Sequence, residues 1–211
     1  MMNGTAAAIV AGQSVGGRRV PWTIAMHAAA RPSAPSTTTM EEIRSFEELV
    51  ERYSDGLLRL FHQRLGRAAE AEDLLQETFL RAYQAWHRVD RTRPAGGWIY
   101  TIGYRVMVSH GRKRWLRALF GGAPAPDVAD RGAGPDAAAE AADERGHLWQ
   151  LARHCLNTEQ FTAVWLHYGD DLPAAQIATV LGKSENAVRI LLFRARERLR
   201  NRLEPVTRSD V

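Results

Sequence analysis

The stretch LPAAQIATVLGKSENAVRILLFRARERLRNR, Leu172 to Arg202, constrains this chain more than any other. Its apolar spacing predicts two short helices joined by a tight turn, the second continuing into an arginine-studded run. Pro173 suits the first helical position, where a missing N–H costs nothing. Ile177 and Leu181 lie one turn apart and can face a core together. Ala178 and Gly182 place small residues where two helices must approach, and Gly182 tolerates the backbone of the turn. Ser184 is a good N-cap for the second helix. Val188, Leu192, Ala195 and Leu199 line one of its faces. From Lys183 to Arg202 there are seven basic residues (Lys183, Arg189, Arg194, Arg196, Arg198, Arg200, Arg202) against Glu185 and Glu197. Such a helix can lie in a DNA groove with its flank on phosphates. An ordinary amphipathic pair with a solvated basic face shows the same pattern, so the rest of the chain must decide.

The chain has 211 residues, enough for one large domain or two small ones. Its net charge of +4 is unevenly spread. Arg88 to Arg117 holds eight basic residues and one acid, Asp90. With the C-terminal helix this makes two positive blocks, suggesting two contact points on a long polyanion. The single cysteine, Cys155, excludes an internal disulfide and fits a reducing compartment. It runs in step with Leu148, Leu151 and Ala152, as a buried small hydrophobe would. His147, His154 and His167 show no repeated close ligand pair, so neither metal nor cofactor is expected. No run approaches the roughly 20 apolar residues needed to span a membrane, and a cytoplasmic location without membrane insertion is expected. HExxH, P-loop and Gly-x-Ser-x-Gly signatures are missing, which points away from an enzyme.

Residues 1 to 39 are rich in Ala, Gly, Ser, Thr and Pro without sustained period, and disorder is the expectation through residue 40. Arg18-Arg19 before VPWTIAMHAAA faintly resembles a twin-arginine export signal, but the apolar part is short and interrupted by His27. Met40, just before a clear helical pattern, is an alternative start. Phe46, Leu49, Val50, Tyr53, Leu57, Leu60, Phe61 and Leu65 then recur at helical steps, with Gly66 as the stop. A second helix, Ala69 to Trp86, carries an inward stripe of Leu75, Phe79, Ala82 and Trp86, with Leu74 and Thr78 alongside. Glu72, Asp73, Gln76 and Glu77 cluster on its outward side. His87 to Gly97 reads as a basic loop, because Pro94, Gly96 and Gly97 break helices. The helix WIYTIGYRVMVSHGRKRWLRALF interleaves Trp98, Tyr100 and Tyr104 with Arg105, Arg112, Lys113 and Arg114. Rings that stack on unpaired bases beside cations that track a backbone are what single-stranded nucleic acid needs. Trp98 and Ile102 are also expected to be partly core. Gly121 to Asp143 is an acidic linker by composition. Helix returns from Glu144, with Leu148, Leu151, Ala152 and Cys155 on one stripe. Asn157 or Thr158 caps the next helix, with Gln160 at capping-box spacing from Asn157. Phe161, Val164, Trp165 and Tyr168 carry that helix to Gly169.

In this order, AEDLLQETFLRAY, a basic loop, a Trp-led helix reaching RKR, an acidic linker and LPAAQIATVLGKSENAVRILLFRARERL resemble a known family. It is the extracytoplasmic-function sigma factors of bacterial RNA polymerase, over about residues 43 to 204. The resemblance implies an all-α fold of two small helical domains joined by a flexible acidic linker. Residues 41–120 would form the core-polymerase and −10 domain, 121–143 the linker, 144–206 the −35 helix-turn-helix domain and 207–211 a tail. It implies that Glu72, Asp73, Gln76, Glu77 and Leu80 dock on core polymerase. It implies that Arg88, Arg91, Arg93, Trp98, Tyr104, Arg105, Arg112, Lys113 and Arg114 hold the opened −10 strand. Lys183, Ser184, Glu185, Asn186, Arg189, Arg194 and Arg196 would read the −35 duplex. Partners implied are core RNA polymerase, promoter DNA and an anti-sigma factor. The family usually carries an Arg-Asn pair where this chain has Tyr104-Arg105 and an Asp where it has Ser109. A small polar residue and an Arg usually stand where Ile190 and Leu191 follow Arg189 here.

Two other readings share some of these features. A conventional helix-turn-helix regulator would use only the C-terminal element and bind duplex DNA without polymerase. A protein-interaction module would sequester a partner with no DNA dependence, leaving both basic blocks without a role.

Overall fold

A computed structural model describes residues 38–120 and 140–203. The described residues form seven α-helices and one 3₁₀ turn, in the order α1 (Phe46–Leu65), α2 (Ala68–Ala85), the turn Trp86–Arg88, α3 (Ala95–Phe120), α4 (Glu140–Cys155), α5 (Thr158–Tyr168), α6 (Ala174–Leu181) and α7 (Glu185–Leu203). None of these helices is long and apolar enough to cross a membrane. The all-helical class follows the sequence expectation.

Helix α1 starts where extended Ser45 accepts the Glu48 N–H on its hydroxyl at 3.2 Å, with Glu47 and Glu48 at the positive end of the helix dipole. It ends at left-handed Gly66 (φ 74°), whose N–H returns to the His62 carbonyl at 2.8 Å. Helix α2 runs back along α1, and α3 packs against both. Leu49, Tyr53, Leu57, Leu60 and Phe61 of α1 meet Leu74 and Ala82 of α2 and Ile99, Tyr100, Val106 and Met107 of α3 in one core. A Cβ on Gly103 would stand 2.8 Å from Leu57 Cδ2, so glycine is what lets α3 approach α1 this closely.

Three boundaries and faces differ from the sequence expectation. The deepest line of α2 is Ala71, Leu74, Thr78 and Ala82, while Leu75, Phe79 and Trp86 are only partly buried. Helices that pack on both sides of α2 come closest over its small residues. The rings sit at the flank, where Phe46 meets Phe79, Tyr83 and Trp86 edge-on at 6.3, 5.1 and 5.5 Å. Helix α3 begins at Ala95, so the loop is shorter than His87 to Gly97. Gly96 and Gly97 lie in its first turn, where backbone N–H groups have no intrahelical acceptor to lose. Thr38 to Met40, within the segment expected to be disordered, pairs with the loop instead. Met40 N–H donates to the Arg93 carbonyl (2.8 Å) and Ala95 N–H to that of Thr38 (2.9 Å). Met40 is wholly buried. Residues 1–37 lie outside the described residues, as do the export-like segment and the tail beyond Leu203.

In the C-terminal half, Asn157 and Gln160 form the expected capping box of α5. Pro173 stands at the N-cap of α6 rather than inside its first turn. Gly182 closes α6 in the left-handed region (φ 65°), and Ser184 accepts the Ala187 N–H at 3.2 Å. Val188, Leu192, Ala195 and Leu199 are the buried line of α7, as its spacing predicts. Helix α4 starts at Glu140, ahead of Glu144; of the expected linker, 121–139 lie outside the described residues. Its buried line is Leu148, Trp149 and Ala152, continued by Leu156 just past its end, while Cys155 is only partly buried and packs against that core from its edge. Trp149 takes the deeper place, edge-on to Phe161 (5.9 Å between ring centres) and tilted against Trp165 (4.5 Å).

The two halves pack on one another. Helix α3 lies along α6, and the end of α1 meets α4 and α5. At the centre of the contact Tyr100 donates its hydroxyl to Asp170 Oδ2 at 2.6 Å, and Trp165 donates its indole N–H to the same oxygen at 3.1 Å. At the edge, Arg64 donates to the Arg153 carbonyl and to Thr158 Oγ1, both at 3.0 Å.

Candidate nucleic-acid interface

Helix α2 presents Glu72, Asp73, Gln76 and Leu80 to solvent along one face, with Glu77 half-exposed and paired to Arg81 at 2.7 Å. Leu80 is 54% exposed and Tyr83 57%. An acidic face that carries two large exposed apolar side chains is unusual for a solvated surface. Tyr83 is missed by the sequence reading, which gives it no role; the signal that finds it is its three-residue helical step from Leu80.

The loop from Val89 to Pro94 is ordered by its own residues. Asp90 accepts from the Thr92 hydroxyl (2.7 Å) and N–H (3.1 Å), which hold its carboxyl below the usual carboxylate range. Arg93 pairs with Asp90 at 3.2 Å. Arg91 lies over the Trp86 ring, 4.6 Å from its centre, and donates to the Met40 and Ile43 carbonyls. Its side chain is thus committed to the fold, although it remains at the surface. Arg88 is exposed in the 3₁₀ turn.

On α3 the candidates divide. Trp98 is half-buried against Trp86, with ring centres 6.4 Å apart. Arg105, Arg112 and Lys113 are exposed, and the seven-residue steps from Trp98 to Arg105 to Arg112 put those three on one helical face. Tyr104 is half-buried, and Arg114 faces Glu70 at 3.5 Å. Tyr100, read from sequence as a stacking ring, is instead buried on Asp170. Gly96 and Gly97 lie under Gln176 of α6, so the start of α3 is covered by the other half.

The second basic surface is open. Glu185, Asn186, Arg189, Ile190, Phe193 and Arg194 are exposed along the outward side of α7, and Arg196 is half-buried. Ser184 serves as the cap, and Lys183 pairs with Glu159 at 3.3 Å. Arg189 is held by Glu185 one turn earlier at 2.5 Å. Ile190 (44% exposed) and Phe193 (56%) stand between the arginines of this face. Among the described residues no group of His, Cys, Asp and Glu could hold a metal ion.

Comparison with known proteins adds two family matches: Sigma-70 region 2 over residues 49–117 and Sigma-70, region 4 over residues 151–199. The ECF RNA polymerase sigma factor SigL of Mycobacterium tuberculosis is 31% identical over 157 residues, 74% of this chain and 87% of SigL. The ECF RNA polymerase sigma factor BldN of Streptomyces coelicolor is 30% identical over 155 residues, 73% of this chain. This chain spans 58% of BldN's length. Among solved structures, the sigma factor RpoE in complex with the anti-sigma factor NepR from Bartonella quintana shares the fold. Its TM-score is 0.60 at 20% identity, covering 77% of this chain and 98% of that one.

Proposed function

The chain belongs to the ECF sigma factors of bacterial RNA polymerase, and from that premise we propose that its two positive surfaces take the two promoter elements while α2 takes the polymerase. The duplex reader is the outward side of α7, with Asn186, Arg189 and Arg194 directed at base edges and phosphates. The strand holder is Trp98, Arg105, Arg112 and Lys113 with Arg88 from the turn, a combination of ring faces and cations. Arg93, Tyr104 and Arg114 flank it, each with a protein partner or half-buried. The observation that carries the polymerase reading is the exposed acidic line Glu72, Asp73, Gln76, Glu77 closed by Leu80 and Tyr83. Large exposed apolar side chains beside polar ones are what a protein partner covers. In this reading the chain performs no chemistry; it supplies recognition and strand opening, and the core enzyme makes RNA.

The packed halves fit a resting form. The element names put −10 and −35 about 25 base pairs apart, roughly 80 Å along a duplex at 3.4 Å per pair. A compact body of this chain length is only ~40 Å across. Reading both elements therefore requires the halves to separate, which breaks the Tyr100–Asp170 contact and uncovers the start of α3. An anti-sigma protein that held the halves together would oppose that step; the structurally similar RpoE is solved in complex with one, NepR.

Transcription with purified core polymerase and pooled genomic fragments tests the reading. Start sites that appear only with this chain are the expected result, and Glu72→Lys, Asp73→Lys and Glu77→Lys together should abolish both these starts and co-purification with core. Unchanged co-purification removes the docking role of α2. Tight duplex binding with no effect on core transcription would favour a conventional regulator.

A further inference from the structure

Between the end of α1, the second half of α3 and the start of α5 lies a cleft of about 600 Å³, within the size range of small-molecule sites. Arg64, Arg67, Arg112, Arg114 and Arg153 line it with His110, against the single carboxylate of Glu159. Glu159 faces Lys183, and Glu70 serves Arg67 (3.2 Å) and Arg114 (3.5 Å). Among the described residues no carboxylate pairs with Arg64, Arg112 or Arg153.

This arrangement is electrostatically unbalanced. Burial and then the Arg153 charge hold the Arg64 guanidinium below its usual range. Arg153 Nε and His110 Nδ1 are buried with no partner. Burying a charged donor without an acceptor is costly, and two guanidinium groups side by side compound it. Carbonyl and hydroxyl acceptors reach Arg64 but cancel no charge. An anion of several charges would relieve Arg64 and Arg153 at once with exposed Arg112 at the rim of the same cleft, and guanidinium forks match phosphate oxygens. The same cleft offers half-buried Tyr104 and exposed Trp115 as ring faces.

We propose that this cleft is a binding site for a nucleoside polyphosphate. The phosphates sit among Arg64, Arg112 and Arg153, and the base lies against Trp115 or Tyr104. Arg64 and Arg112 belong to one half and Arg153 to the other, so the site exists only while the halves are packed. A ligand that binds only the packed form stabilises it by mass action. A promoter strand, in contrast, needs the halves apart and cannot use Arg64 and Arg153 together. Arg112, Arg114 and Tyr104 are shared with the strand-holding surface, so nucleotide and promoter exclude one another. That consequence rests on the proposed function, whereas binding itself does not.

Calorimetric titration of the full chain with ATP, pyrophosphate and orthophosphate tests the site, using wild type, Arg153→Gln, Arg112→Gln and Arg44→Gln. Arg44 lies beyond the far end of α1, so its loss changes net charge equally without touching the cleft. The expected result is saturable one-to-one ATP binding, weaker for pyrophosphate and weakest for orthophosphate. Each cleft variant should weaken ATP about tenfold through loss of one charge-assisted contact, with Arg44→Gln unchanged. Equal weakening in all three variants would mean diffuse attraction, and an absence of ATP binding to wild type would remove the site; either overturns the proposal. Arg112 is on the exposed rim with no fold-supporting contact, so its variant reports even if Arg153→Gln unfolds. Retention of pooled genomic fragments by core polymerase and this chain, measured with no nucleotide present, keeps the two readings separable. Failure to retain any specific fragment would strike the promoter reading and leave the titration standing.

Discussion

At the scale of single residues, Asp170 carries more than its place in the sequence suggests. It is buried and accepts from both Tyr100 and Trp165, one donor from each half. Asp170→Ala removes the acceptor that two buried donors share, a loss of about 2–4 kcal/mol, and thermal unfolding of the full chain should show it directly. Tyr100→Phe removes one donor and keeps the ring, so its loss should be near 1 kcal/mol; equal losses for both variants would mean that packing, not hydrogen bonding, holds this point. Ile190 makes a different prediction. On α7 as the proposed −35 reader, an exposed apolar side chain can offer a base edge only contact to a thymine methyl group. Replacing thymine by uracil in the bound −35 duplex deletes that methyl alone. Affinity should fall about fourfold for one lost buried methyl, and the difference should vanish in Ile190→Ala. Indifference of the wild type to uracil would show that Ile190 does not touch a base.

At the scale of elements, the segment from Thr38 to Met40 acts as a brace on the basic loop. It supplies a backbone acceptor to Ala95, a donor to Arg93 and a hydroxyl to Arg52 (3.2 Å). Chains beginning at residue 38 and at residue 40 should therefore differ. Deleting Thr38 and Thr39 removes the acceptor of the Ala95 N–H and leaves Arg52 with Glu48 alone (2.9 Å), a cost of about 1–3 kcal/mol, readable as a lower Tm. Identical melting of the two would mean that Met40 and Ile43 alone anchor the segment. Four helix ends were legible in advance, because Asn157, Ser184, Gly66 and Gly182 act within one turn of their own position. The start of α3 was not. A Pro-Ala-Gly-Gly run breaks a helix by local propensity, yet here it opens one, because a helix may begin where its first N–H groups find partners such as Thr38.

At the scale of the whole molecule, the packed halves predict a distance change. Fluorophores on α2 and on the outward side of α7, with Cys155 replaced, should report one short distance for the free chain and a longer one on core polymerase with promoter. Asp170→Ala should populate the longer distance without either partner. An unchanged distance in the polymerase complex would place both promoter elements on a packed chain and refute the separation. A packed resting form also accounts for an arrangement that sequence reading treats as independent domains. Tyr100 reads as a stacking ring beside arginines, and nothing within seventy residues announces Asp170 as its acceptor.

The amino-acid sequence by itself determined most of the helices, the caps at Gly66, Asn157, Gly182 and Ser184, the buried line of α7, the acidic face of α2 and the family to which they belong. Each depends on residues within a few turns of one another, where periodicity and local hydrogen bonding decide. Only the tertiary structure decided which line of α2 lies deepest, what covers Tyr100, that Thr38 to Met40 joins the fold, and that Arg64, Arg112 and Arg153 meet in one cleft. Those depend on close approach between distant segments, where the size of facing side chains and the absence of a counter-charge matter more than any local pattern.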